Sequence, residues 1–160
     1  MEPRWLDGRE DRAWRGFVAL HNGLFDHLAR QLARDSGLTT ADYEVLVVVS
    51  EAPGRRIRSR DLCRALGWER SRLSHQLARM EQRGSVSRAP CAEDARGFDV
   101  VLTPAGLAAI ESAAPLHLEA VRHCFVDVLT GDQLDALAEI AEVIGTHLAA
   151  EHADRPGSAC

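Results

Sequence analysis

Arg70, Ser71, Arg72, Ser74, His75, Gln76 and Arg79 crowd into one short run, and every one of them carries a hydrogen-bonding group. Threaded among them, Leu73, Leu77 and Met80 recur at helical spacing. With these three turned inward, the 100° step of an α-helix puts Ser71, His75, Ala78, Arg79 and Gln82 on the opposite side, with Arg72 and Gln76 on the flanks. A helix face of Ser, Arg, His and Gln, with no large apolar residue, suits a DNA major groove, where base edges are read by directional donors and acceptors. Arg70 and Arg72, near the helix start, are placed for base edges or phosphates, and the hydroxyls of Ser71 and Ser74 fit phosphates. A plain solvated polar face is the competing explanation, and it stays open above all for Arg79, Gln82 and Arg83.

Periodicity indicates the elements that must hold this run. A helix over 60–66 with Ser59 as its cap is stopped by Gly67, and a second over 69–83 is ended by Gly84. Two short helices joined by a tight glycine turn form a helix-turn-helix. Behind Gly84 the period changes from helical to alternating. Val86 and Arg88 lead into a strand ending near Pro90, Phe98, Val100 and Leu102 alternate in a second, and Glu93–Gly97 form the tip. A hairpin directly behind a helix-turn-helix is a winged helix. Arg96, cationic at the tip, suits the narrow minor groove of A·T-rich DNA. Asp94 beside it is expected to pair with a neighbouring arginine and hold the wing. Upstream, Thr39 or Thr40 caps a helix over 42–50 with Tyr43, Leu46 and Val47 inward, Pro53-Gly54 ends it, and 55–58 read as a polar lead-in.

Longer helices flank this unit. Over 8–34, Trp14, Phe17, His21, Leu24, Phe25, Leu28 and Leu32 share one face. From Thr103-Pro104 a helix carries Leu107, Ala114, Leu118, Val121, Phe125 and Val128, and Pro115 should kink it or split it. After Thr130-Gly131 a last helix shows Leu134, Leu137, Ala141, Ile144 and Leu148, widened by Ile140 and Val143. A helix apolar over more than one face needs a second partner. The expected fold is therefore mainly α with a small β-hairpin wing. A winged helix-turn-helix domain spans 35–114, a helical dimerisation region combines 8–34 and 115–150, and 152–160 form a flexible tail. A homodimer of this kind presents two winged helices about a twofold axis, which suits palindromic DNA.

Whole-chain composition points the other way. The 160 residues, 46% hydrophobic and 27% charged, are those of a soluble globule of one compact domain or two small ones. A net charge of −5 and a pI near 5.8 argue against nucleic acid. The distribution reverses that inference. All 19 basic residues are arginines, and between Arg55 and Arg96 eleven of them meet five acids, a net of +6, leaving −11 for the remainder.

Other classes find little support. Apolar runs such as Val45–Val49 fall far short of the roughly 20 residues a membrane span needs, and the start Met1-Glu2-Pro3-Arg4-Trp5 lacks a signal-peptide core. Cys63, Cys91, Cys124 and Cys160 form no CxxC pair and read as reduced thiols in a cytoplasm. Glu119/His123 and His147/Glu151 are i,i+4 pairs, but two ligands make an incomplete metal site, and surface pairs explain them. No nucleophile–base–acid spacing, phosphate loop or complete metal set is visible, so neither an enzyme nor a cofactor is expected.

The run from Gly67 to Gly84, Gly-Trp-Glu-Arg-Ser-Arg-Leu-Ser-His-Gln-Leu-Ala-Arg-Met-Glu-Gln-Arg-Gly, resembles the recognition-helix region of the MarR (multiple antibiotic resistance regulator) family. The wing pattern D-x-R-x-x-x-V-x-L-T is met by Asp94, Arg96, Val100, Leu102 and Thr103, and Pro104-Ala105-Gly106 follow. Helix order and length extend the likeness over roughly residues 8–150, and it looks closest to actinobacterial members. The resemblance implies a dimeric winged-helix transcription regulator, usually a repressor. In many members a phenolic or other small aromatic ligand enters a crevice between dimer helices and DNA-binding lobe and lowers DNA affinity. Ser85 stands where the family usually has leucine, which is expected to loosen the first wing strand. Gly97 replaces a common second wing arginine, leaving the minor groove to Arg96.

Three residues mark the candidate effector crevice, Trp14, His21 and Phe25, with His21 as its polar handle; a histidine bonded within the core or the dimer interface is the blander alternative. Cys63 reads as small filler. Cys91, near Arg88 and Arg96, is a candidate redox thiol of lowered pKa, although the peroxide-sensing members carry theirs in the first helix. The functional expectation is a sequence-specific DNA-binding regulator, a repressor released by a small aromatic ligand or another signal. The alternative is a winged helix whose arginines face an acidic protein partner.

Overall fold

The structure is a computed structural model and describes residues 3–90 and 97–153, the last two by backbone alone. Six helices and three strands follow in the order α1 (Gly8–Ser36), α2 (Thr40–Glu51), β1 (Arg56–Arg58), α3 (Ser59–Leu66), α4 (Arg70–Gln82), β2 (Val86–Pro90), β3 (Phe98–Leu102), α5 (Pro104–Cys124) and α6 (Gly131–Ala153). The expected tail from 152 lies outside the residues described with side chains, as do Cys91, Asp94 and Arg96.

Local chemistry sets most of the boundaries. Asp7 caps α1 by accepting from the amides of Arg9 and Glu10, both at 2.8 Å, while Glu10 reaches back to the Asp7 amide. Thr39, not Thr40, caps α2, and Asp42 closes the reciprocal bond. Thr103 caps α5 through the Gly106 amide, with Pro104 in the first turn. Gly67 ends α3 in the left-handed region, where a side chain would be strained. Ser59 departs from expectation: it is the first residue of α3, Arg58 holds the cap position, and no side chain caps that end.

The polar lead-in at 55–58 proves to contain a strand. β1 pairs antiparallel with β3, Ile57 opposite Val100, and β2 pairs with the other side of β3, Val86 opposite Leu102. The wing is thus the outer part of a three-stranded sheet of order β1-β3-β2. Against it, α2, α3 and α4 bury one apolar core containing Leu46, Val49, Leu62, Leu73, Leu77, Met80, Val86, Val100 and Ile110. Burial is worth about 1.5–3 kcal/mol for each such side chain. Cys63 fills a small gap there, as expected.

α5 differs most from the sequence reading. Its buried residues are Gly106, Ile110, Ala113 and Ala120, while Leu118 and Val128 of the expected stripe stand exposed. α1 packs along α5, and small residues let helix axes approach. The helix runs unbroken past Pro115, because Pro115 and Glu111, whose carbonyl loses its amide partner, both face solvent. It ends at Cys124, and a single 3-10 turn over Val126–Val128 leads to α6.

Ser85 does not loosen the wing. Its amide and hydroxyl both donate to Met80 O, at 3.0 and 3.1 Å, and its carbonyl accepts from Thr103. Gly106 lies against that same carbonyl, so closely that a Cβ built on it would come within 1.9 Å of Ser85 O. This contact joins the start of α5 to the start of the wing.

Farther along α5, the His117 ring packs on Tyr43 of α2, centroids 4.6 Å apart. His117 Nδ1 is buried and meets no hydrogen-bond partner among the described residues. Burial lowers the His117 pKa from its ordinary 6.5. Burial, and secondarily the Glu51 carboxylate, raises that of Tyr43.

Two outcomes follow from these contacts. Gly106→Ala forces Ser85 and the wing away from α5 and should lower unfolding stability by about 1–3 kcal/mol in urea titrations; an unchanged midpoint refutes the close approach. For His117, the unfolded chain binds a proton more readily than the folded one. Its contribution is therefore intact above pH 6.5 and is lost as pH falls from there through the lowered folded value. Thermal melts of wild type should decline with acid over that window more steeply than those of His117→Phe, and parallel curves would refute the assignment.

Candidate nucleic-acid interface

α4 turns Leu73, Leu77 and Met80 inward, and Arg70, Ser71, Arg72, Ser74, His75 and Arg79 stand exposed on it. The sequence-expected residues thus share one helix and one solvent face, with a single departure. Gln76 is 2% exposed. Its Nε2 donates to Asp42 Oδ1 at 2.6 Å, so the amide is engaged in the interior rather than offered to a partner. The physical reason is width: positions 73, 76, 77 and 80 together make the broad inward stripe of a core-facing helix, and Gln76 falls inside it once a buried acceptor is present.

The N-terminal end of the face is organised by Trp68. This residue is buried in the turn between α3 and α4, and the Arg72 guanidinium carbon sits 4.1 Å from its ring centroid. A guanidinium over an indole face gains about 0.5–1 kcal/mol at an exposed site, and it loses much of its rotational freedom. The i,i+4 spacing of Trp68 and Arg72 was visible in the sequence and is the signal that would have found this pair.

The remaining arginines of the basic segment divide by partner. Arg56 Nε donates to Asp99 Oδ2 at 2.6 Å and its Nη2 to Pro90 O at 3.2 Å, tying β1 to both wing strands. Arg64 Nη1 donates to Asp61 at 3.1 Å. Arg83 pairs with Asp42, and Arg79 donates to Gln76 Oε1. Arg88 braces β2 against α4: its amide donates to Glu81 Oε1 at 3.2 Å, its Nη2 to Ser74 O at 3.3 Å, and its guanidinium lies 4.8 Å from the Phe98 ring centroid. Arg70 and Arg72 are different. Among the described residues neither meets a carboxylate, so their charge is available to an outside anion.

The aromatic residues of α1 do not enter the core. Trp14, Phe17, His21 and Phe25 form a ladder of rings along the exposed side, with centroid separations of 6.2, 6.2 and 4.9 Å. Trp14 also lines an open depression of about 480 Å³ with Asp11, Arg15, Val18 and Ala19, and His21 and Phe25 lie outside it. His147 and Glu151 approach to 3.4 Å on α6. Among the described residues no group of three or more His, Cys, Asp and Glu is placed to hold a metal, and no helix is long and apolar enough to cross a membrane.

A family model described as MarR family matches residues 36–97. The fold matches a MarR family transcriptional regulator from Streptomyces coelicolor solved in complex with DNA, at 41% identity and a TM-score of 0.87, covering 92% of each chain. AbsC, another MarR family transcriptional regulator of Streptomyces coelicolor, matches at 39% identity and a TM-score of 0.88, with 92% of this chain and 99% of that one covered. The Mycobacterium tuberculosis regulator MOSR in complex with DNA matches at 29% identity and a TM-score of 0.69, covering 89% and 98%. No curated protein matches the chain. With identity above two-fifths to a relative that it covers almost end to end, and with its recognition helix and wing in place, the chain belongs to the MarR family of transcriptional regulators.

Proposed function

We propose that this protein is a dimeric, sequence-specific DNA-binding regulator acting as a repressor, with Arg70, Ser71, Arg72, Ser74, His75 and Arg79 as its contact residues. Arg96 is assigned to the minor groove, with Asp94 supporting the wing. The observation that carries the reading is the α4 face, where arginine, serine and histidine side chains stand on one side of a helix, with Arg72 held over Trp68 and no competing carboxylate among the described residues. Two relatives solved in complex with DNA support it. Residues 35–114 form the DNA-binding unit, and 8–34 with 115–150 pair the subunits. Support for pairing comes from the apolar side chains left exposed on both chain ends, among them Phe17, Phe25, Ile140, Val143 and Ile144. The protein acts by binding rather than turnover, in the cytoplasm where its DNA is.

Release of DNA by a small aromatic ligand is the regulatory part of the proposal. The ring ladder of Trp14, Phe17, His21 and Phe25 supports it, since such a surface stacks planar molecules and His21 adds a polar handle. Cys91 is the candidate for a redox input.

Binding of labelled palindromic duplex should weaken steeply with salt, with log K falling against log salt by several units, about 0.9 for each phosphate contacted. A slope near zero would leave the arginines to an acidic protein partner instead. Arg72→Ala combined with His75→Ala should reduce preference for the best sequence more than affinity for random duplex; equal losses would assign both residues to phosphates. In sedimentation the particle should have twice the 17.5 kDa chain mass, and a monomer contradicts the twofold arrangement.

A further inference from the structure

The carboxylate of Asp42 is 1% exposed, yet it does not belong to the apolar core around it. Its two oxygens face different parts of the molecule. Oδ2 accepts from the Thr39 amide at 3.1 Å and the Thr39 hydroxyl at 2.7 Å, which ties it to the turn leaving α1. Oδ1 accepts from Gln76 Nε2 on α4, at 2.6 Å, and from Nη2 of Arg83, the residue that caps the end of α4. Gln76 and Arg83 are two helical turns apart on one side of α4. Because Gln76 spends its amide nitrogen on Asp42, its oxygen is the atom left outward, and there it accepts from Arg79.

The aliphatic contacts of Leu73, Leu77 and Met80 hold α4 on the core and decide which face is inward, but they supply no directional bond to set its rotation finely. Hydrogen bonds are directional. A buried carboxylate costs several kcal/mol unless its partners compensate, and apolar residues of similar volume often serve stability equally well. The charge here does what an apolar residue cannot.

We propose that Asp42 is a positioning residue for DNA recognition: through Gln76 and Arg83 it fixes the rotation of α4 about its own axis, and through Gln76 it orients Arg79. The direction in which Ser71, Arg72 and His75 project then follows from a carboxylate on another helix. Gln76 and Arg83, which resemble contact residues in the sequence, act as tethers. This inference rests on the DNA reading above.

The test uses the full-length protein and the duplex that wild type enriches from a randomised pool, with a scrambled duplex of the same length as reference. Asp42→Asn keeps the shape and one acceptor. It should lower the ratio of selected to scrambled affinity by about tenfold while affinity for the scrambled duplex stays within about threefold, because phosphate contacts are unaffected. Gln76→Met removes the same bond at nearly equal volume, provides a second route should Asp42→Asn fail to fold, and should lower the ratio likewise. Arg79→Ala should then cost less in the Gln76→Met background than in wild type. Folded variants that keep the wild-type ratio, or strictly additive losses for Gln76→Met and Arg79→Ala, overturn the proposal while leaving the DNA reading intact. A wild type that enriches no duplex overturns the DNA reading and this inference with it.

Discussion

A helix apolar along one face is not stable in water until that face is covered, and within one subunit α1 is covered only in part, at Leu28 and Leu32, while α6 from Ile140 onward stands exposed. Trp14, Phe17 and Phe25 on α1, and Ile140, Val143 and Ile144 on α6, are each at least half exposed. At roughly 1.5–3 kcal/mol for each large side chain buried, such a surface is large against the 5–15 kcal/mol or so by which a typical domain is stable. The uncovered faces lie toward the two ends of the chain, while the middle buries its own core around Leu46, Leu77 and Val100. In the arrangement proposed above, pairing through the ends would leave both copies of α4 free and relate them by a twofold axis.

Charge is arranged to the same plan. Whole-chain charge is negative, but the arginines that meet carboxylates do so in the frame: Arg56 with Asp99, Arg64 with Asp61, Arg83 with Asp42. Each fixes one element against another or braces a helix turn. Arg70 and Arg72, at the start of α4, are spared such partners among the described residues, and Trp68 holds Arg72 by its ring face instead. A stacked guanidinium keeps its charge and its donors for a ligand, whereas a salt-bridged one has already committed them. In the reading proposed above, the acidic excess elsewhere would repel the DNA backbone and favour the α4 face.

What could be read from the sequence was what depends on near neighbours. The bounds of α4 rest on Gly67, Gly84 and a regular apolar stripe, and the capping of α2 and α5 on Thr39 and Thr103 with their third-following residues. What could not be read depends on distant ones. β1 has three residues and exists only because β3, more than forty positions away, supplies its partners. Gln76 looked like a flanking contact residue because nothing nearby reveals that Asp42, 34 positions upstream, is buried beneath it. On α5 the apolar stripe indicates a helix but not which of its residues are covered, and Gly106, Ile110, Ala113 and Ala120 prove to be the buried ones. Three of these four are small enough for α1 to pack closely, while Leu118 stands exposed.

A dimeric reader must satisfy two geometric demands together. The separation of the two α4 helices must match half-sites about 34 Å apart on one side of the duplex, and each helix must present its polar face at the right rotation to the groove. In the reading proposed above, the first falls to the pairing segments 8–34 and 115–150 and the second to the winged unit. These requirements meet at the turn between α1 and α2. Thr39 in that turn and Gln76 on α4 bond to opposite oxygens of one carboxylate, so the path from the subunit interface to the recognition helix passes through a few directional bonds rather than through a compliant apolar contact. The junction of α5 with the wing is closely packed, because Gly106 rests directly on Ser85 O. In the regulatory reading proposed above, a displacement of the pairing helices would act on α4 and the wing through these two contacts. That is the mechanical condition under which a ligand bound among the pairing helices can control a DNA contact that it never touches.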